Sequence, residues 1–126
     1  MKTIKQTYEI SAPIEKVWQA LTNPAEIEAW GGGPAKMDSV EGGLFSLWGG
    51  EIFGKNTEVA PSKKLSQEWY ITKSPQPTKV TFILREKDDK TIIDLVHDDV
   101  PDEAVSEIAN SWQKDYLGKV KKYLEE

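Results

Sequence analysis

Apolar and polar residues alternate near the start of the chain and again through its middle. Over residues 2–10, Ile4, Tyr8 and Ile10 fall on one side while mostly polar residues fall on the other, a period of two that is typical of a half-buried β-strand. From 34 to 97, similar segments follow one another across turns rich in Gly, Pro and Asp, which predicts an antiparallel meander of about six strands. We expect these strands at 36–40, 44–48, 51–60, 65–72, 80–85 and 91–97.

Two short helices are predicted between the first strand and the meander. Residues 11–13, Ser-Ala-Pro, are a helix-start signal with a capping Ser and a Pro suited to the first turn, and apolar residues then recur at helical spacing over 14–21. Residues 23–26, Asn-Pro-Ala-Glu, are a second start signal, and the helix that they open runs to Trp30. Three glycines and a proline at 31–34 then end that helix.

The chain ends in a pattern that predicts one long amphipathic helix. It starts at the turn Pro101-Asp102-Glu103, and its apolar stripe is wide, so the helix should be covered by a broad surface. The stripe comprises Val105, Ile108, Ala109, Trp112, Tyr116, Val120 and Tyr123. The order of elements predicts an α+β fold in which a curved antiparallel sheet wraps around this helix and leaves a space between them.

Composition narrows the class of protein. The chain has 126 residues, which suits one domain over residues 1–126. It has no cysteine, which excludes disulfides, thiolate zinc sites and cysteine nucleophiles. Its net charge of -5 argues against a nucleic-acid-binding surface. Neither a signal peptide nor the roughly 18 apolar residues of a membrane helix are present, so we expect a cytoplasmic protein with no membrane partner.

Five tryptophans are unusual in a chain of this length, and they indicate a candidate ligand site. Trp30, Trp69 and Trp112 are predicted to surround the space between sheet and helix, whereas Trp18 should be structural packing. Trp48, beside two glycines at a turn, is a candidate for a rim or a dimer contact. The alternative is that the aromatic residues simply fill the core. The full set of predicted ligand-binding residues is Trp30, Phe45, Trp69, His97, Trp112 and Tyr116.

The residues that could carry catalysis or bind a metal are few. His97 is the only histidine, and it could orient a ligand or act as an acid or base; the alternative is a hydrogen-bonded structural histidine. A lone histidine disfavours a zinc site, and the acidic residues around Pro101 are explained by the helix that begins there. The glycines at 31–33 lack the Lys and Ser/Thr of a phosphate-binding loop, and no G-x-S-x-G pattern occurs. We therefore predict no cofactor, no metal and no catalytic residues.

At this level of detail the sequence resembles a known family. It is similar to the helix-grip superfamily (START-like, birch-pollen-allergen-like, also called SRPBCC). Within that superfamily it resembles the activator of heat-shock-protein-90 ATPase homologues of the C-terminal domain type. The likeness runs from about Tyr8 to Leu124 and rests on the order and spacing of short matches. These are Ala12-Pro13, Val17-Trp18, Leu21, Trp30, Gly42-Gly43, Phe45, Gly54, Glu58-Val59-Ala60-Pro61, Leu65, Trp69, Thr91, Leu95-Val96-His97 and Trp112.

The resemblance implies the fold more strongly than the activity. The eukaryotic co-chaperone resembles a two-domain protein whose separate N-terminal domain supplies the main chaperone contact, and we expect this chain to have no room for it. Relatives with this fold range from lipid carriers to aromatase/cyclase enzymes, so the fold alone does not decide the function.

Three functional hypotheses follow. The first is a non-enzymatic protein, a monomer or weak homodimer, whose cavity binds a small apolar or aromatic molecule. The second is a chaperone-associated binding module, which the resemblance implies. The third is a cyclase- or hydrolase-like enzyme that uses His97.

Overall fold

The computed structural model describes residues 1–71 and 76–126, and its central element is one antiparallel sheet of seven strands. The strands lie in the order β1-β7-β6-β5-β4-β3-β2, so every pair except β1–β7 joins neighbours in sequence. This confirms the predicted first strand and six-stranded meander. The bounds are β1 Lys2–Ile10, β2 Lys36–Met37, β3 Leu44–Leu47, β4 Ile52–Ala60, β5 Lys64–Ile71, β6 Thr78–Lys87 and β7 Lys90–Val100.

Strand β2 is much shorter than predicted, and β3 and β4 are each shorter by one residue. Pairing of β2 ends at Met37, not at residue 40, because the chain turns at Asp38. The amide of Asp38 still donates to Leu44 O at 3.0 Å, but its carbonyl accepts from Val40 N at 2.8 Å, which closes a local turn. The predicted end of β5 at residue 72 and most of the following turn lie outside the described residues.

Helix α1, Ile14–Thr22, and helix α2, Pro24–Trp30, follow β1 as predicted. The cap of α2 is confirmed, since Asn23 Oδ1 accepts from Ala25 N at 3.0 Å. The predicted cap of α1 is wrong: the helix begins after Pro13, with no side-chain cap. The backbone amide of Ser11 instead donates to Glu125 Oε2 at 2.9 Å, which ties the end of β1 to the end of the chain.

The C-terminal helix is not the single regular helix that its periodicity predicts. It consists of α3, Val105–Ser111, one π-helical turn at Trp112–Tyr116, and α4, Leu117–Glu125. Tyr116 leaves the helical conformation, with φ −117° and ψ −93°. Gly118 explains how the wider turn fits, because a Cβ there would collide with the carbonyl oxygen of Gln113, five residues earlier.

Gly54 in β4 lies where two strands approach each other closely, and it is not part of a β-bulge. The register between β4 and β5 is continuous at Gly54 and shifts between Asn56 and Glu58. A Cβ at Gly54 would collide with the carbonyl oxygen of Glu68 and press on the ring of Phe45. Gly54 therefore allows the close approach of the neighbouring strand, and the bulge lies two residues further on.

The hydrophobic core lies between the inner face of the curved sheet on one side and α1, α2 and the C-terminal helix on the other. Leu65, Phe82, Ile93 and Leu95 from the sheet are fully buried against α1, α2 and the C-terminal helix. No helix among the described residues is both long and apolar enough to cross a membrane.

Candidate ligand-binding cleft

A cleft of about 460 Å³ opens between the inner face of the sheet and the C-terminal helix. Strands β4, β5 and β7 and the segment before β4 supply one wall, and α3, the π-helical turn and the start of α4 supply the other. The lining residues are Trp48, Glu51, Ile52, Trp69, Ile71, His97, Glu107, Ile108, Ser111, Trp112, Asp115, Tyr116 and Lys119.

The inner end of the cleft is a cluster of aromatic rings around Tyr116. The ring of Tyr116 lies 4.8 Å from Trp30 and 4.8 Å from Trp112, measured between centroids. Trp69 at 6.1 Å belongs to the cluster on the cleft side, and Trp48 at 5.9 Å connects the cluster to the rim of the cleft. Trp112 and Tyr116 are four residues apart, which places them on one face of the helix, and both lie in the π-helical turn.

The indole N–H groups of this cluster donate hydrogen bonds inside the protein. Trp30 donates to Ala20 O at 2.8 Å, and Trp48 donates to Gly31 O at 2.9 Å. The backbone amide of Trp48 also donates to Gly32 O at 2.8 Å, so the glycine segment after α2 seats this side chain at the rim. These N–H groups fix the rings and are not available to a ligand.

Trp69 is fixed by a chain of buried amides. Its Nε1–H donates to Gln67 Oε1 at 2.7 Å, and Gln67 Nε2 donates to Asn56 Oδ1 at 3.0 Å. Asn56 Nδ2 then donates to Asp38 O at 2.8 Å. Gln67 and Asn56 are fully buried, so each amide group depends on these partners.

His97 lies on strand β7, and its ring is hydrogen-bonded to two side chains from other elements, Trp112 and Thr78. Trp112 Nε1–H donates to His97 Nδ1 at 3.0 Å, which makes Nδ1 the acceptor and places the ring proton on Nε2. Nε2–H therefore donates to Thr78 Oγ1 at 2.8 Å. Burial lowers the pKa of His97 to about 4, although Asp98 acts in the opposite direction. The ring is thus neutral at physiological pH, and both nitrogens are used within the protein.

The hydroxyl of Tyr116 contrasts with these satisfied groups. It is buried and has no hydrogen-bond partner among residues 1–71 and 76–126. Burial raises the pKa of this phenol far above its ordinary value, so the group keeps its proton. It is therefore a hydrogen-bond donor without an acceptor in the described part of the chain.

The charged groups of the cleft lie at its mouth. Glu51, Glu107 and Lys119 are exposed, and Asp115 is half-buried. Among the described lining residues, carboxylates thus outnumber the single cation, which gives the mouth a negative balance.

The structure brings four of the predicted ligand-binding residues together along the cleft: Trp69, His97, Trp112 and Tyr116. Trp30 and Phe45 are buried in the core and, within the described residues, are not part of the lining. Trp48 lies at the rim, one of the two positions that its sequence context suggested. The role of all these residues in binding stays a prediction.

Sequence reasoning missed several residues of the helix wall. Ser111, Asp115 and Lys119 line the cleft at intervals of four residues, parallel to the apolar stripe through Ile108 and Trp112. The same spacing in the sequence could have identified them once one wall residue was known. Ile52 and Ile71 face each other across β4 and β5, and their register depends on a strand pairing that the sequence does not reveal.

The acidic residues near Pro101 are not arranged as a metal site. Asp102 pairs with the N-terminal amino group at 3.0 Å, and Asp98 accepts from Thr3 Oγ1 at 2.8 Å. Across the two described ranges, no group of three or more His, Asp or Glu side chains could hold a metal ion.

Comparison with known proteins gives a family match over nearly the whole chain. The family described as Activator of Hsp90 ATPase homolog 1-like protein matches residues 11–125. An uncharacterised protein of Schizosaccharomyces pombe is 28% identical over 100 residues, which cover 78% of this chain and 30% of that protein. An activator of 90 kDa heat shock protein ATPase homologue of Dictyostelium discoideum is 24% identical over 124 residues, which cover 95% and 32%. The chain therefore spans about a third of the length of these curated relatives.

A solved structure has a similar fold. The crystal structure of PFC0360w, described as an HSP90 activator from Plasmodium falciparum, matches with a TM-score of 0.89 and 24% identity. The match covers 98% of this chain and 96% of that one, so the two share the same architecture from end to end.

Proposed function

The chain belongs to the family described as Activator of Hsp90 ATPase homolog 1-like protein, and on that premise we propose that it binds a small apolar or aromatic molecule in the cleft without catalysing a reaction. The observation that carries this proposal is the aromatic cluster at the inner end of the cleft. Trp48, Trp69, Trp112 and Tyr116 would contact the ligand. Trp30 and Phe45 would support that wall from the core, and His97 would act by holding Trp112.

The shape and chemistry of the cleft support binding. Ligand sites in proteins are concave, mostly apolar and about 300–1,000 Å³ in volume, with few polar groups that set orientation. The cleft has about 460 Å³ and an aromatic inner end, with its charged residues at the mouth. A planar ring could pack against Trp69 and Trp112, whose own rings are 5.0 Å apart and inclined by 28°.

The state of His97 supports a binding protein over a hydrolase or cyclase. A general base needs a free nitrogen and a pKa near the working pH. Both nitrogens of His97 are engaged, by Trp112 and Thr78, and its pKa is lowered to about 4. Using it for proton transfer would break the bond that positions Trp112.

The test is a titration with 2-ethylnaphthalene followed by the indole N–H signals in a nitrogen–proton NMR spectrum. We expect the signals of Trp48, Trp69 and Trp112 to shift, while the signal of Trp18, which is buried in the core and does not line the cleft, keeps its position. Shifts spread equally over all five indoles, or none in any of them, would contradict binding in the cleft.

A matched pair of variants on α3 completes the test. Ser111 lines the cleft, whereas Ser106 is exposed on the same helix away from it. Ser111→Phe should fill the cleft and abolish the shifts, and Ser106→Phe should leave them intact. Equal behaviour of the two variants would place the binding elsewhere.

A second candidate is a chaperone-associated binding module. The observation that favours it is that relatives such as the Dictyostelium discoideum protein and PFC0360w are described as activators of heat shock protein 90. The expected result is retention of the host's homologue of that chaperone on the immobilised chain. No retention with or without ATP would contradict the module.

A further inference from the structure

Tyr116 differs from the other tyrosines of the chain. The hydroxyls of Tyr8, Tyr70 and Tyr123 are nearer the surface, yet each donates to a side chain: Gln6, Glu68 and Glu26 respectively. Tyr116 is the most buried of the four, and its hydroxyl is unbonded within the described residues. The group that most needs an acceptor is thus the one for which the described residues provide none.

The surroundings explain why the described residues supply no acceptor. The rings within 6.1 Å of Tyr116 are Trp30, Trp48, Trp69, Phe82 and Trp112. Indole nitrogens are donors only, and those of this cluster already donate to Ala20, Gly31, Gln67 and His97. An acceptor for the phenol must therefore come from outside this cluster.

A buried hydroxyl without an acceptor destabilises the folded protein, and phenylalanine would fill the same space without that penalty. Native proteins leave few such groups unbonded, and those that remain call for an explanation. Tyr116 lines the cleft, so a molecule entering the cleft can reach the wall that carries this donor.

The electrostatics limit the kind of acceptor. Among the described residues that line the cleft, the charged groups at the mouth are one cation, Lys119, and three carboxylates. The carboxylates are Glu107 and Asp115 on the helix wall and Glu51 on the other wall. A carboxylate ligand would lose its hydration at an apolar inner end and pass this negative mouth. A neutral carbonyl oxygen avoids both penalties.

On the basis of the proposed function, we infer that the ligand is a neutral aromatic carbonyl compound whose oxygen accepts a hydrogen bond from the hydroxyl of Tyr116. Its ring lies among the indoles of the cleft, and its oxygen satisfies the buried phenol. Tyr116 is then the residue that distinguishes this ligand class from a plain aromatic hydrocarbon of the same size.

The experiment compares three probes on three proteins. The probes are 2-acetylnaphthalene, with a neutral acceptor, 2-ethylnaphthalene, with none, and 2-naphthoate, with an anionic one. The proteins are the unchanged chain, Tyr116→Phe and the control Tyr123→Phe, which removes a hydroxyl bonded to Glu26 instead. Dissociation constants are measured by NMR titration.

We expect the unchanged chain to bind 2-acetylnaphthalene about tenfold more tightly than either other probe. Tyr116→Phe should weaken the acetyl compound by about tenfold and leave the ethyl compound within about twofold, while Tyr123→Phe changes neither. Equal effects of Tyr116→Phe on the acetyl and ethyl compounds would overturn the inference and leave the proposed function standing. Naphthoate binding as tightly as the ketone would overturn the claim of a neutral ligand. Failure of all three probes to bind the unchanged chain would contradict the proposed function itself.

Discussion

Two buried polar side chains flank the indole of Trp112, and they differ in what they bond. His97 lies 5.7 Å away between ring centroids, and both of its nitrogens have partners within the protein. Tyr116 lies 4.8 Å away, and its hydroxyl has none in the described part of the chain. The two groups share a neighbour and a degree of burial, so burial alone does not account for the difference.

The contrast separates groups that specify the structure from a group that, by our inference, is open to a ligand. A fully bonded buried network fixes the positions of its members, as His97 does for Trp112 and Gln67 does for Trp69. A buried group that the described residues leave unbonded contributes no such specification, and its presence reduces stability. The four predictions below test whether the fully bonded buried groups and the unbonded hydroxyl of Tyr116 affect stability in these opposite ways.

Removing the indole that both sides share should have the largest effect. Trp112→Phe deletes buried volume and leaves His97 Nδ1 without its donor, so we expect the free energy of unfolding to fall by about 3 kcal/mol. Urea denaturation measures it. Trp18→Phe is the control, because Trp18 is also buried but takes no part in the His97 network. Equal losses in the two variants would mean that the bond to His97 contributes nothing.

The neutral state of His97 predicts a dependence of stability on pH. The pKa of His97 is about 4 in the folded protein and 6.5 in the unfolded chain. Below pH 6.5 the unfolded chain gains a proton that the folded protein does not bind, so stability is complete above that pH and falls as the pH drops toward 4. Between pH 8 and pH 5 the loss should be about 2 kcal/mol.

His97→Gln is the control for this pH profile, because its amide can still accept from Trp112 and donate to Thr78 but does not titrate. Subtracting its urea denaturation profile removes the contribution of the surface carboxylates. A wild-type profile parallel to that of His97→Gln between pH 8 and pH 5 would show that His97 is not held neutral.

Breaking the buried amide chain should reduce the free energy of unfolding by less than the loss of Trp112 does. Gln67→Leu leaves the N–H of Trp69 and the oxygen of Asn56 without partners, and we expect a loss of about 2 kcal/mol in unfolding free energy. Glu68→Gln, on the opposite face of the same strand, should change stability by less than about 0.5 kcal/mol. A loss below that level for Gln67→Leu would show that the chain does not specify the position of Trp69.

The smallest effect should have the opposite sign. Tyr116→Phe removes a buried hydroxyl that lacks a partner in the described residues, so we expect the free protein to gain about 1 kcal/mol of stability. Tyr8→Phe should instead lower the free energy of unfolding by about 0.5 kcal/mol, since the hydroxyl of Tyr8 is bonded to Gln6. A loss of stability in Tyr116→Phe would show that its hydroxyl already has an acceptor in the free protein.

The sequence predicts the sheet well because its strands are marked locally. Alternation around Val80, Phe82 and Leu84 and the turn at Asp88-Asp89 suffice to place β6 and β7. The cap at Asn23 was equally readable, because the Asn-Pro pair sets both the cap and the first turn. The prediction that Ser11 caps α1 was wrong, because the backbone amide of Ser11 bonds to Glu125, which is 114 residues away in sequence.

The details of the cleft were less predictable because they depend on long-range pairing. Periodicity placed Trp112 and Tyr116 on one stripe, but it assumed a regular α-helix and gave no sign of the π-helical turn that contains both. The partners of Gln67 and His97 come from Asn56 and Thr78, on neighbouring strands. No local pattern in the sequence distinguishes a bonded tyrosine from an unbonded one.

The crowding of indole rings also makes the protein its own optical probe. Trp69 and Trp112 are 5.0 Å apart, and Trp30 and Trp48 are 6.1 Å apart, so their electronic transitions are close enough to couple. Such coupling depends on the mutual orientation of the rings, and near-ultraviolet circular dichroism reports fixed orientation and loses its signal when packing is lost. The chain should therefore show an intense near-ultraviolet spectrum that records any rotation of these rings without a label.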